Sequence, residues 1–303
     1  MTADITVSDW TPVGSEGRWY QGIFDGGNHT ITIKSINGGA SEAGLFGYTK
    51  GTVKNVSVAG TITTTGNTAR GVAAYNNGKI SYCINKASVA AAETAGGIVG
   101  ENEQTSYGNS DSTMVEGCTN SGTVTATGAG SYAGGIVGRN DAVARRCTNS
   151  STDIRVNSAD SYAGGIAGYN CKRIQKCDNI TATASTSANY GGVIGYNTLP
   201  DNYKTDIEWV NNCYTQHNVF VYYAAKGRIT NSYTSGGSFN SAGSGTAYQN
   251  CYATSGAASG RATMAGTTPK SSGTEYRQRR SRRRLSSFPT KSNGIWRNGT
   301  PSA

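Results

Sequence analysis

The chain is poor in the residues from which most catalytic sites are built. Histidine occurs only at His29 and His217, far apart and with no serine or cysteine nucleophile set beside either, so no triad is legible. Charged residues make up only 15% of the 303. Helix formers are too few for a mixed α/β fold, and no heptad pattern survives inspection. No apolar run approaches the roughly 18 residues of a membrane-spanning helix. The start, Met1-Thr2-Ala3-Asp4-Ile5, has neither the basic nor the apolar part of a secretion signal. The glycine-rich stretches are followed by no Lys-Ser or Lys-Thr and open no helix, which excludes a phosphate loop.

What the chain has instead is repetition. One phrase is written four times, as Gly96-Gly97-Ile98-Val99-Gly100-Glu101-Asn102, Gly134-Gly135-Ile136-Val137-Gly138-Arg139-Asn140, Gly164-Gly165-Ile166-Ala167-Gly168-Tyr169-Asn170 and Gly191-Gly192-Val193-Ile194-Gly195-Tyr196-Asn197. The spacings of 38, 30 and 27 residues mark a solenoid, whose units bury their apolar faces only by stacking on neighbours. After each phrase comes an apolar residue, a few polar ones and then a small residue. Across eight units that position reads Val56, Cys83, Cys118, Cys147, Cys177, Cys213, Ser232 and Cys251. These residue types share small size, so the position fits a narrow interior stack, and the thiols are expected to be mostly free. Cys171 stands off the column and is expected to be exposed.

Short units rich in Ile, Val, Thr and Tyr and broken by Gly and Asn favour brief strands joined by turns. The expected fold is all-β: a right-handed parallel β-helix of eight or nine coils, with equivalent residues about 4.8 Å apart along the stack. Asn102, Asn140, Asn170 and Asn197 are placed at one corner, in left-handed conformation, with amides bonded up and down the stack.

These residues resemble the GLUG repeat of bacterial surface proteins and of regions flanking IgA-cleaving metallopeptidases. Gly44-Leu45-Phe46-Gly47 is close to the namesake pattern, and Phe24-Asp25-Gly26-Gly27-Asn28-His29-Thr30-Ile31 is similar to the lead-in before a first repeat. The resemblance spans about residues 9 to 255. It implies a non-catalytic adhesive or spacer module outside the cell, with glycan or extracellular protein as partner and no cofactor or metal. The His-Glu-x-x-His of the peptidase is absent, and the missing signal implies a chain that is a fragment or lacks its true N-terminus. The rival expectation is a polysaccharide-acting β-helix enzyme of the pectate-lyase kind.

Three segments are expected: an N-terminal cap and first coil over 1–36, repeats over 37–255, and a disordered tail over 256–303. The cap rests on Trp10, Trp19, Tyr20 and Phe24, since an open coil end exposes core and strand edges. The tail holds most of the chain's excess positive charge, with nine Lys or Arg after residue 269, six of them in the run Arg277–Arg284. The rest of the chain then has eighteen basic and seventeen acidic residues, a net of +1, and no basic footprint for nucleic acid. The Arg run is read as a self-repelling tail or a stretch out of frame in preference to a nucleic-acid arm. A monomer with no membrane span is expected.

Two sets of residues are candidates for binding. The distance from glycine phrase to cysteine is 12 or 13 residues in three coils but 22 from Gly96 to Cys118 and from Gly191 to Cys213. Two coils therefore carry insertions at the same corner, holding the acids Glu103 and Asp111 in one and Asp201, Asp206 and Glu208 in the other. Their bases lie three coils apart, about 14 Å, too far for a catalytic carboxylate pair at roughly 5 to 9.5 Å. The second set is Tyr132, Tyr162 and Tyr190, expected to stack on consecutive coils. Facing outward they offer sugar rings a flat amphipathic surface; inward or edge-on they form a stiffening ladder.

Overall fold

The computed structural model describes residues 1–36, 42–64, 66–104, 112–181, 189–198, 209–217, 219–225, 227–235, 238–242, 246–249 and 251–253. The chain divides into two compact units, Met1–Thr267 and Thr268–Ala303, and every described residue belongs to the first. The Arg-rich run and the rest of the expected tail lie outside the described residues.

The first unit is a parallel β-solenoid, and no helix occurs among the described residues. One representative turn runs Thr94–Gly96, Val99–Glu103, Met114–Glu116, Thr119–Asn120 and Val124–Ala126 before Tyr132–Gly134 starts the next. Each strand pairs in register with its equivalent one turn on: Val99 with Val137, Val137 with Ala167, and Ala167 with Ile194. Eight strands stack on the face containing Val99–Glu103 and six on the face containing Thr94–Gly96. About seven turns are wound where eight or nine were expected, because the end units supply strands to only some of the faces.

The repeated phrase follows from this winding. A Cβ on the first glycine, at Gly96, Gly134, Gly164 or Gly191, would stand 1.8 to 2.0 Å from the carbonyl oxygen three residues on, so the chain folds back too tightly for any side chain. The two apolar residues that follow point into the bore. Ile98, Ile136, Ile166, Val193 and Phe220 are all fully buried, each contributing roughly 1.5–3 kcal/mol by leaving water. The column ends in a pair of rings, Phe220 and Phe239, with centroids 5.1 Å apart.

The cysteine column exists as expected. Cys83, Cys118, Cys147, Cys177 and Cys213 form no disulfide among the described residues and are fully buried. Each thiol finds two carbonyls, as when Cys147 Sγ donates to Val115 O at 3.6 Å and Arg145 O at 3.2 Å. Cys171 is a correction: it is buried, 6% exposed, with Sγ 2.6 Å from Asp141 Oδ1. Burial, reinforced by that carboxylate, pushes its thiol pKa well up.

The asparagine column is also present and extends to Asn76. Nδ2 of each residue donates to Oδ1 of the next along Asn76, Asn102, Asn140, Asn170 and Asn197, at 2.8 to 2.9 Å. The left-handed expectation is corrected, because no residue of this column has positive φ. The left-handed residue is the one just before the cysteine position: Asn55, Tyr82, Gly117, Arg146, Lys176, Asn212 and Asn231, with φ of 49° to 66°. The corner there turns between two short strands, and the side chains point out, so residue types as different as Tyr and Lys occupy it. A second amide ladder, Asn85–Asn120–Asn149–Asn179 at 2.8 to 2.9 Å, runs down another corner and was not expected.

At the N-terminal end Trp10, Tyr20 and Phe24 pack against the core. Trp10 Nε1 donates to Leu45 O at 3.1 Å, and Tyr20 and Phe24 sit 5.1 and 5.5 Å from Phe46. Trp19 instead lies on the outside, edge-on to Tyr48 at 5.0 Å.

Candidate functional site

Along the face containing Val99–Glu103, Val99, Gly100 and Asn102 are buried and one side chain per turn, at the Glu101 position, is turned outward. That outward column reads Tyr48, Tyr75, Glu101, Arg139, Tyr169, Tyr196 and Tyr223. Its tyrosines stack: Tyr48 on Tyr75 at 4.5 Å and 13°, Tyr169 on Tyr196 at 5.6 Å and 5°, and Tyr196 on Tyr223 at 4.9 Å and 8°.

Charges fill the gap between the two stacks. The Arg139 guanidinium lies 4.9 Å from the Tyr169 ring centre and pairs through Nε with Asp141 at 2.8 Å. Arg70 takes the place of a phrase glycine, paired in register with Gly96, and its guanidinium reaches the Tyr75 ring at 5.4 Å. Arg70 is fully buried, and none of its three side-chain nitrogens has a hydrogen-bond partner. Burial pushes its pKa down, to about 9, against the pull of Tyr75, Glu101 and Glu42, which still leaves it charged at neutral pH. Glu101 sits between the two arginines, its carboxyl pushed up by burial and held down by both of them. The column is thus two tyrosine stacks with a charged segment between them, in which each arginine lies against a ring.

Beside it runs a second outward row. Tyr132 pairs in register with Tyr162, bounded by Thr94 on one side and Asn189 on the other. The rings of Tyr132 and Tyr162 are nearly parallel, at 16°, with centres 6.3 Å apart. They meet the ladder at steep angles: Tyr132 to Tyr169 at 5.2 Å and 64°, and Tyr162 to Tyr196 at 5.0 Å and 65°. Tyr222 tilts in from two turns on, 6.1 Å from Tyr162.

The expected three-tyrosine stripe is therefore corrected at one member. Tyr190 pairs in register with Ala163, one position off Tyr162, and is 5% exposed. It immediately precedes its glycine phrase, whereas Tyr132 and Tyr162 stand two residues before theirs, and a one-residue offset in a strand turns the side chain to the opposite face. Burial pushes its phenol pKa well up, and the ring packs edge-on to His217 at 4.8 Å.

Of the acids, Glu103 is exposed and paired in register with Asp141. Asp111, Asp201, Asp206 and Glu208 lie outside the described residues. The described strands Val99–Glu103 and Ile194–Asn197, which precede the two insertions in sequence, hold equivalent places in the tyrosine face. The ladder tyrosines Tyr169, Tyr196 and Tyr223 were missed from sequence, although Gly-Tyr-Asn is written at Gly168 and Gly195.

Comparison with known proteins agrees with the repeat. The family described as the GLUG motif matches residues 91–125, the end of one turn and most of the following one. No curated protein matches. A solved structure from Bacteroides ovatus, titled "putative immunoglobulin A1 protease", is similar at 20% identity, covering 90% of this chain and 73% of that one, with a TM-score of 0.48. The protein is, on its winding and on the motif matched at residues 91–125, a parallel β-solenoid carrying the GLUG motif.

Proposed function

We propose that this solenoid is a non-catalytic module of a bacterial cell surface that binds an extracellular glycan or protein. The observation that carries it is the outward tyrosine face, where stacked rings and paired charges fix a broad, rigid surface across several turns. Rigid aromatics contribute contact area at low entropic cost. Structural stacking alone does not require the second row, Tyr132 and Tyr162, which adds aromatic area beside a ladder already complete. The acids on this face also suit binding better than catalysis: Asp141 is held by Arg139 and Cys171, and Glu101 is flanked by two arginines.

Solid-phase binding to mucin, host matrix proteins and cell-wall glycans, combined with a product assay on each, tests this. Saturable binding without released fragments is expected. Fragment release would instead establish the polysaccharide-acting enzyme, and a protein that binds nothing in the panel would be a spacer.

A further inference from the structure

Each inner ladder ring has both faces occupied: Tyr169 by Arg139 and Tyr196, and Tyr196 by Tyr169 and Tyr223. In the steep contacts with the second row, the ladder must then supply ring edges, and Tyr132 and Tyr162 must each supply a face. The two near-parallel rings, at 16° with centres 6.3 Å apart, are widely offset, so each leaves part of a face uncovered by the other, while Tyr162 is also met by Tyr222 and Tyr223 at 6.1 and 6.2 Å. Both residues are only half-buried.

We propose that Tyr132 and Tyr162 form a two-tile platform that binds a neutral polysaccharide, one pyranose ring per tile, with the sugar chain running along the solenoid axis. This rests on the binding-module reading and names its ligand class. A pyranose ring offers a flat C–H face to an aromatic ring while its equatorial hydroxyls reach outward, and two tiles one turn apart suit a ligand that is itself a repeat of rings. Thr94 at one end of the row is buried, while at the other Asn189, its amide nitrogen held by the Ser161 carbonyl at 2.8 Å, sets a polar group beside the apolar floor, the mixture found in ligand sites. Charge favours a neutral polymer, because Arg139, the nearest cation among the described residues, is already paired with Asp141. The ladder holds both tiles in place before binding, so little ordering entropy is lost.

Affinity electrophoresis of the whole chain in gels cast with soluble β-glucan, xylan, galactomannan or polygalacturonate tests the platform. Retardation by at least one neutral polymer is expected, with Kd raised about tenfold or more in Tyr132→Ala/Tyr162→Ala and held within about threefold in Tyr132→Phe/Tyr162→Phe. Nitration mapping of the unmutated protein gives a readout independent of how the variants fold. The retarding polymer should protect Tyr132 and Tyr162 but leave Tyr82, which is 58% exposed on another corner, as reactive as before. No retardation by any neutral polymer, retardation unchanged in a folded alanine variant, or unprotected Tyr132 and Tyr162 would overturn the platform. Loss of a protein ligand in the alanine variant, with no gel retardation, would reassign these tyrosines to a protein partner and also overturn it, while leaving the binding module intact. Sugar release from a retarding polymer would instead remove the non-catalytic reading.

Discussion

The amide ladders show how a single residue type stabilises this fold. Asn140 donates to Asn170 and to the Ala142 carbonyl while accepting from Asn102, all in a fully buried position. Asn140→Ala leaves a buried donor on Asn102 and a buried acceptor on Asn170, each costing roughly 1–3 kcal/mol. A loss of about 2–5 kcal/mol is expected in urea denaturation, and a loss under about 0.5 kcal/mol, typical of a neutral surface site, would contradict the ladder. Cys147→Ser should be far milder, because the chain already places Ser232 in that column, hydrogen-bonded to the Thr230 carbonyl at 2.9 Å. The column was legible from sequence because small size alone defines it. Tyr190 was not, since its inward turn depends on one residue of register, and Cys171 was misplaced because the carboxylate that meets it comes from the previous turn.

At the scale of strands, the tyrosine ladder should make the protein sensitive to alkali. Burial raises the phenol pKa of Tyr132, Tyr162 and Tyr169, the last to about 12. The sign follows from the unfolded chain, whose tyrosines ionise near 10 and so lose protons that the folded ones keep. Stability is then full below about pH 10 and lost progressively from there toward 12. Unfolding followed by phenolate absorbance should show this slope, reduced in Tyr169→Phe; an unchanged slope would mean these phenols ionise freely. Tyr196→Ala removes a ring stacked on both sides, and a loss of roughly 1–3 kcal/mol is expected in denaturant titration. The ladder escaped the sequence because Glu101 and Arg139 occupy the same slot as Tyr169 and Tyr196, so the column shows no single residue type. The inward Ile and Asn columns do show one, which is why they were readable.

For the solenoid as a whole, the first coil carries a carboxylate that ties folding to acid pH. Asp25 accepts from the Gly27 amide, from Asn55 at 3.1 Å and from Lys54 at 3.2 Å, and these hold its carboxyl down, to about 2. A carboxyl depressed by folding stabilises above its unfolded pKa, near 3.8, and loses that contribution as pH falls toward 2. Asp25→Asn should flatten the decline of Tm across that window, and an unaltered decline would place the acid-sensitive group elsewhere.

The parallel winding and the cysteine and asparagine columns were all readable, because stacking turns sequence period directly into position. The number of full turns was not, since the end units contribute only part of a turn. The most direct measurement of the winding uses pulsed spin-label distances between cysteines placed at the outward corner positions Tyr82, Lys176 and Asn231, in a Cys251→Ser background. Register puts Lys176 three turns and Asn231 five turns from Tyr82, so backbone separations of about 14 and 24 Å are expected. Distances that fail to grow with the number of turns would contradict the solenoid, and with it every column described above.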